Sequence, residues 1–147
     1  MLIEIVIECA AGATVRQRLD EQTLELRVVR EVSTPYPYAY GFVPGTAGPD
    51  GDCLDCYVLA GRPLQPGERV RGVLQGLMEQ FEGPDEEIDH KLLAVLEGEP
   101  GAWDAAARQT LEAFIYRLFS NPAGYPVRVG RFLDRDGAQA YIEMYRK

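Results

Sequence analysis

Lysine is nearly missing from this chain: among 147 residues only Lys91 and Lys147 are lysine, against thirteen arginines. Positive charge is scarce altogether, 15 basic residues facing 23 acidic ones for a formal net charge of −8. That balance argues against nucleic acid as a general partner, because phosphate-backbone binding needs a basic surface. It leaves a small phosphate ligand open, since a bound metal inverts the local electrostatics. No apolar stretch approaches the ~20 residues of a membrane span, so no membrane partner is expected. The opening M-L-I-E-I-V-I-E has acids at 4 and 8 and no basic segment, so a secretory signal is not expected either.

Histidine occurs once and cysteine three times. An odd cysteine count without a leader fits a reducing cytoplasm. Cys53 and Cys56 form a C-x-x-C, but zinc would need two further ligands, and only Cys9 and His90 remain, at no recognisable spacing. A redox pair belongs at a helix start, whereas Tyr57-Val58-Leu59 continues as a strand. The thiols read as small, semi-buried side chains. Composition is otherwise that of a globular protein, and a single domain spanning 1–147 is expected.

The first half reads as β. Leu2–Glu8 alternates in part, and Thr14–Leu19 and Leu24–Val29 alternate more cleanly around a turn at Asp20–Thr23. Tyr36–Val43, Tyr57–Ala60, Val70–Met78 and Leu92–Leu96 are further strands. From Asp104 the period becomes helical through Ala107, Leu111, Phe114, Ile115 and Leu118, with Asn121-Pro122 as the stop. Tyr125–Val129 is expected as one more strand and Asp136 as the cap of a last helix. The predicted class is mainly β with α: a closed, OB-like β-barrel with one long and one short helix packed outside.

Three aspartates, Asp50, Asp52 and Asp55, stand together immediately before an apolar run. Two like charges about 4 Å apart repel by roughly 4 kcal/mol at an effective dielectric near 20. Proton uptake or a divalent cation relieves that repulsion, and oxygen-only ligands favour a hard ion such as Mg²⁺. The competing reading is an acidic hairpin tip whose carboxylates point into water.

The motif D-G-D-x-x-D, here Asp50-Gly51-Asp52-Cys53-Leu54-Asp55, resembles the aspartate motif of the soluble inorganic pyrophosphatases, a metal-dependent family with an OB-type barrel. Other matches fall in that family's order: Tyr36, Pro37, Tyr40 and Gly41; P-L-Q-P-G at 63–67; Asp89, Lys91, Leu92, Ala94 and Val95; and the pair Tyr116 and Arg117. The resemblance implies that metal-activated water hydrolyses pyrophosphate to two phosphates. Asp50, Asp55 and Asp89 would hold activating metals, Asp52 would be general base, and Glu82 with Asp89 would carry metal arriving with substrate. Glu8 would contact metal-bound water. Arg16, Arg30, Tyr40, Lys91, Tyr116 and Arg117 would bind the phosphates, with Arg30, Tyr40 and Lys91 also taking part in catalysis. The implied cofactor is Mg²⁺, several per active site, with Mn²⁺ or another divalent ion as alternatives. The implied partners are pyrophosphate as small-molecule substrate and further copies of the chain, a homo-oligomer and by resemblance a hexamer, in the cytoplasm.

Several positions depart from the pattern. Cys53 stands where the family usually has proline, Glu82 where it has aspartate, and Arg16 and Arg117 where it more often has lysine. Arg18 replaces an acid. The segment 30–38 is shorter than in bacterial relatives. Asp85, Glu86 and Glu87 compete with Glu82 for its role, and His90 reads as incidental. Two alternatives stay open: hydrolysis of another phosphoanhydride, such as a nucleotide or short polyphosphate, and a catalytically weak binding protein that keeps the fold.

Overall fold

The computed structural model describes residues 1–120 and 125–147. Its strands are β1 (Leu2–Cys9), β2 (Val15–Leu19), β3 (Leu26–Glu31), β4 (Ala39–Val43), β5 (Leu54–Leu59), β6 (Arg69–Glu82), β7 (Glu87–Ile88), β8 (Lys91–Leu96) and β9 (Val127–Leu133). The helices are α1 (Ala105–Leu118), between β8 and β9, and α2 (Arg135–Tyr145), after β9. The expected helix stop at Asn121-Pro122 lies outside the described residues.

Five strands return on themselves. β1 pairs with β4, β4 with β5, β5 with β8, β8 with β6, and β6 closes the ring on β1. Every pairing is antiparallel except β5–β8. The expected class, mainly β with a closed OB-like barrel and a long and a short helix outside, is what forms. At its far end β6 continues past the ring to pair with β7 and β9. β2 and β3 form a separate two-stranded hairpin.

Both faces of the ring strands are covered, which explains why their hydrophobic alternation is incomplete. In β8, Leu92, Ala94 and Leu96 face one core with Ile3, Ile5 and Ile7, and Leu93 and Val95 face another with Leu111, Phe114 and Ile115 of α1. Ala138 and Ile142 of α2 join the first core. The strands β1 and β4 approach so closely at Gly41 that a Cβ there would lie 2.0 Å from the Val6 carbonyl oxygen.

Some expected boundaries move for local reasons. β4 starts at Ala39 rather than Tyr36, because Pro37 has no N–H for the ladder. Leu24 sits at φ 61° in the hairpin turn, so β3 starts at Leu26. β5 starts at Leu54, which brings Asp55 into the sheet. β6 runs four residues past Met78, because every second residue from Val70 to Gln80 is buried. Asp134, not Asp136, caps α2: its Oδ1 accepts the Gly137 N–H at 2.9 Å, and Asp136 falls in the first turn.

Candidate active site

An open cavity of about 470 Å³ gathers most of the candidate residues, a size ordinary for a small-molecule site. Its anionic part rests on the one parallel pairing of the ring. Register sets Asp55 of β5 beside Lys91 of β8, although 36 residues separate them in sequence. The Lys91 Nζ donates to Asp55 at 2.7 Å, to Asp89 at 3.0 Å and to the Tyr40 hydroxyl at 3.1 Å. All three of its protons therefore have partners. Lys91 is 4% exposed, so this bonding is what makes its burial tolerable.

Asp50 and Asp52 occupy the turn before β5. Gly51 adopts φ 88° there, a left-handed conformation that glycine takes without steric cost, and the Asp50 carboxylate accepts the Asp52 N–H at 2.9 Å. Glu8, at the end of β1, is buried and accepts the Leu19 N–H at 2.9 Å. Glu82 ends β6.

The hairpin supplies the cations. Arg16 and Arg18 alternate on β2, so they share a face, and Arg30 pairs with Arg16 across the ladder. All three line the cavity. The Arg16 guanidinium stands 4.9 Å from the centre of the Tyr40 ring. Arg18 reaches the aspartate turn, its Nη2 lying 2.5 Å from Asp52 Oδ2.

Two expected phosphate ligands are not brought to the cavity lining. The Tyr116 hydroxyl instead accepts the Val129 N–H at 3.0 Å, tying α1 to β9, and Arg117 lies in the last turn of α1. Conversely Glu21, Tyr36, Tyr57 and Gln80 line the cavity, as do Ile115, Leu118, Phe119 and Tyr125. Sequence reasoning gave none of these a site role. Glu21 carries no local signal, since it acts by accepting the Cys53 N–H across 32 positions. Gln80 was detectable by extending the β6 alternation two residues.

The electrostatics follow from one buried ammonium shared among several acids. Burial disfavours the Lys91 charge, but Asp55, Tyr40 and Asp89 outweigh it and hold the ammonium well above its usual pKa. Burial also works against Asp89, yet Lys91 and the surrounding hydrogen bonds hold it below the carboxylate range. The remaining acids go the other way. Burial raises Asp55; burial and the neighbouring Asp89 push Glu82 up to about 8; burial pushes Glu8 to about 6.

A pH dependence follows. A carboxyl raised in the fold binds its proton more tightly folded than unfolded, so stability is lost as pH climbs from the unfolded to the folded pKa. For Glu82 that window runs from 4.5 to about 8. His90, whose pKa burial lowers, acts in the opposite sense, but only below its ordinary value. Metal-free protein is therefore expected to melt at lower temperature at about pH 8 than at about pH 7. The slope has an upper limit of about 1.4 kcal/mol per pH unit for one proton. Thermal melts in chelator across that range check it, and a Tm that rises would contradict the raised carboxyl.

Seven carboxyl-bearing side chains and four cationic ones line the cavity. The excess of acid and the pushed-up carboxyls make it a place where a divalent cation fits, and an all-oxygen donor set suits a hard one. Among the described residues no three acidic, histidine or cysteine side chains form a ready-made cage. Lys91 stands between Asp55 and Asp89, and Arg18 covers Asp52.

The sequence matches the family described as inorganic pyrophosphatase over residues 5–144. Among curated proteins, the inorganic pyrophosphatase of Mycoplasma genitalium is 37% identical over 101 residues, covering 67% of this chain and 54% of that protein. That of Gluconobacter oxydans is 41% identical over 90 residues, covering 58% and 52%. The chain thus spans about half the length of the curated relatives it matches. Among solved structures, an inorganic pyrophosphatase from Coxiella burnetii superposes with a TM-score of 0.87 at 27% identity, covering 98% of this chain and 92% of the other. One from Helicobacter pylori gives 0.88 at 25% identity, covering 98% and 91%.

Proposed function

This chain belongs to the inorganic pyrophosphatase family, and from that premise we propose that it hydrolyses pyrophosphate to two phosphates with the help of divalent cations. The observation that carries the reading is the meeting, in one cavity, of the Asp55–Lys91–Asp89 cluster with the aspartate turn and the three hairpin arginines. Asp50, Asp55, Asp89 and Glu82 would hold Mg²⁺, and Glu8 would orient a water beside it. When bound, such an ion lowers the pKa of water and offsets the charge that builds on phosphate oxygens.

The chain's own residues do the rest. Asp52 takes the proton of the attacking water, so that a phosphorus–oxygen bond forms as the bridging bond breaks. Arg16, Arg30 and Tyr40 would bind and orient the phosphate oxygens through charge-assisted and hydroxyl hydrogen bonds, and Lys91 would join them by exchanging one of its three present partners for a phosphate oxygen. Tyr116 and Arg117 would act from the rim rather than from the cavity wall. The assembly we propose is a homo-oligomer, hexameric by resemblance and cytoplasmic; light scattering on the purified protein reads its size.

The test is phosphate release from pyrophosphate, ATP and tripolyphosphate, with Mg²⁺ and with chelator. Release from pyrophosphate alone, abolished by chelator, is the expected result. A second reading has its own support: Ile115, Leu118, Phe119 and Tyr125 give the cavity an apolar wall, which suits the base of a nucleotide. Faster release from ATP would favour it.

Arg18 offers a narrower prediction. Its guanidinium neutralises Asp52 at a place where the family carries an acid. With an arginine there, the enzyme would work with one fewer ion on the substrate side. Arg18→Glu restores a place for that further, weakly held ion, which must then be filled, so the variant is expected to need several-fold more free Mg²⁺ for half-maximal activity. Activity titrated against free Mg²⁺ checks this, and superimposable curves would remove Arg18 from the site.

A further inference from the structure

Gln80 is the one glutamine in the cavity lining, and it is 1% exposed. Two of its groups already organise the acids around it. Its side-chain Nε2 donates to Glu82 Oε2 at 2.7 Å, and its backbone carbonyl accepts the Asp89 N–H at 2.9 Å. Its backbone N–H and carbonyl oxygen both lie against His90 Nδ1, at 3.0 and 3.3 Å. The exception is Oε1, a buried carbonyl oxygen with no hydrogen-bond partner among the described residues.

An unpaired buried carbonyl is destabilising, and native structures rarely keep one without a use. Turning the amide over would not help. Oε1 would then face the oxygens of Glu82, acceptor against acceptor, and the donor would be orphaned in its place. Ionised, Glu82 and Asp89 are acceptors only, and a protonated Glu82 has a single proton, which it shares with Asp89, so neither acid satisfies Oε1. A cation can. An amide carbonyl is a neutral, hard oxygen of the kind that joins carboxylates around divalent ions.

We propose that Gln80 belongs to the divalent-cation site on the Glu82–Asp89 side, contributing Oε1 to the ion's oxygen shell while its Nε2 holds Glu82 in place. This rests on reading the cavity as a divalent-cation site, though not on which substrate it serves. The same side chain thus does two jobs, one for each end of its amide. Its backbone carbonyl adds a third by setting Asp89.

Mg²⁺ binding to the substrate-free protein, followed by titration calorimetry, tests the idea without any activity measurement. Gln80→Met keeps the length of the side chain and removes both polar ends. It is expected to weaken Mg²⁺ binding ~10-fold, the low end of what groups supporting a metal site contribute. Its melting point in chelator should stay near wild type, because the orphan carbonyl disappears along with the bond to Glu82. Gln80→Glu is expected to tighten Mg²⁺ binding several-fold by adding a charge to the same shell. A merely structural Gln80 would behave otherwise: Gln80→Met would melt early and still bind Mg²⁺ as wild type does. Unchanged affinity in Gln80→Met overturns the proposal, and if that variant does not fold, unchanged affinity in Gln80→Glu overturns it. Wild-type protein that binds no Mg²⁺ would overturn both this and the cation reading of the cavity. Normal Mg²⁺ binding without pyrophosphate hydrolysis would overturn only the choice of substrate.

Discussion

Asp55→Ala is expected to lower phosphate release from pyrophosphate at least ~100-fold, a modest figure for a group that positions metal and water, while leaving the barrel folded. The position of this carboxylate is fixed by the sheet. Asp55 pairs with Phe42 on one side and Lys91 on the other, so its place against the Lys91 ammonium is set by the ladder. Folding is spared because the truncation does not strand a charge. Lys91 keeps Asp89 at 3.0 Å and Tyr40 at 3.1 Å, and the repulsion between Asp55 and Asp89 disappears. Turnover beside thermal melting separates the two claims. Activity within a few-fold of wild type would defeat the assignment, and a collapsed melting point would show Asp55 to be structural first.

Removing the cation instead should have the opposite signature. Lys91→Met leaves Asp55 and Asp89 facing each other with no positive partner, in a setting where the ammonium was 4% exposed. Breaking a buried ion pair from one side costs about 3–5 kcal/mol. We expect a metal-free stability loss of that order in urea unfolding. A divalent cation can take up the freed negative charge, so Mg²⁺ should raise the Tm of Lys91→Met more than that of wild type. Pyrophosphatase activity should nevertheless remain low, because a methionine donates nothing to a phosphate. Equal Mg²⁺ shifts in the two proteins would mean that the ions bind away from this cluster.

How much of this was legible beforehand depended on the range over which each feature is encoded. The strand alternations of β2 and β3, the helical period of α1 and the D-G-D-x-x-D motif are local, and each was found. That Arg16 and Arg18 share one face is local too, since it needs only the period of a strand. What Arg18 touches was not accessible. Its partner Asp52 is 34 positions away, and nothing local to the hairpin points to it. The parallel pairing of β5 with β8 left no trace in either strand. β6 was expected to end at Met78, short of the acidic run that starts at Glu82 and includes Asp85, Glu86 and Glu87. Glu79 is engaged by Arg131 of β9 and Gln80 is buried, which are facts of tertiary packing rather than of composition. Tyr116 looked like a phosphate ligand by resemblance, and only the arrival of β9 gives its hydroxyl another occupation.

The two halves of the cavity are not equally firm. Asp55, Glu8 and Lys91 are set on strands of a closed ring that has no free edge, so moving any of them means opening the barrel. The arginines ride on a two-stranded hairpin whose outer strand is exposed at every residue and whose buried anchor is Leu19, packed on Val6 and Phe42. Segments with few buried contacts open at a small fraction of the global unfolding free energy. The arginine side of the cavity is accordingly the side that yields, and under the proposed function it would be the side that lets a bound phosphate go. A rigid floor with a yielding cover would reconcile turnover with the tight grip that the proposed substrate demands.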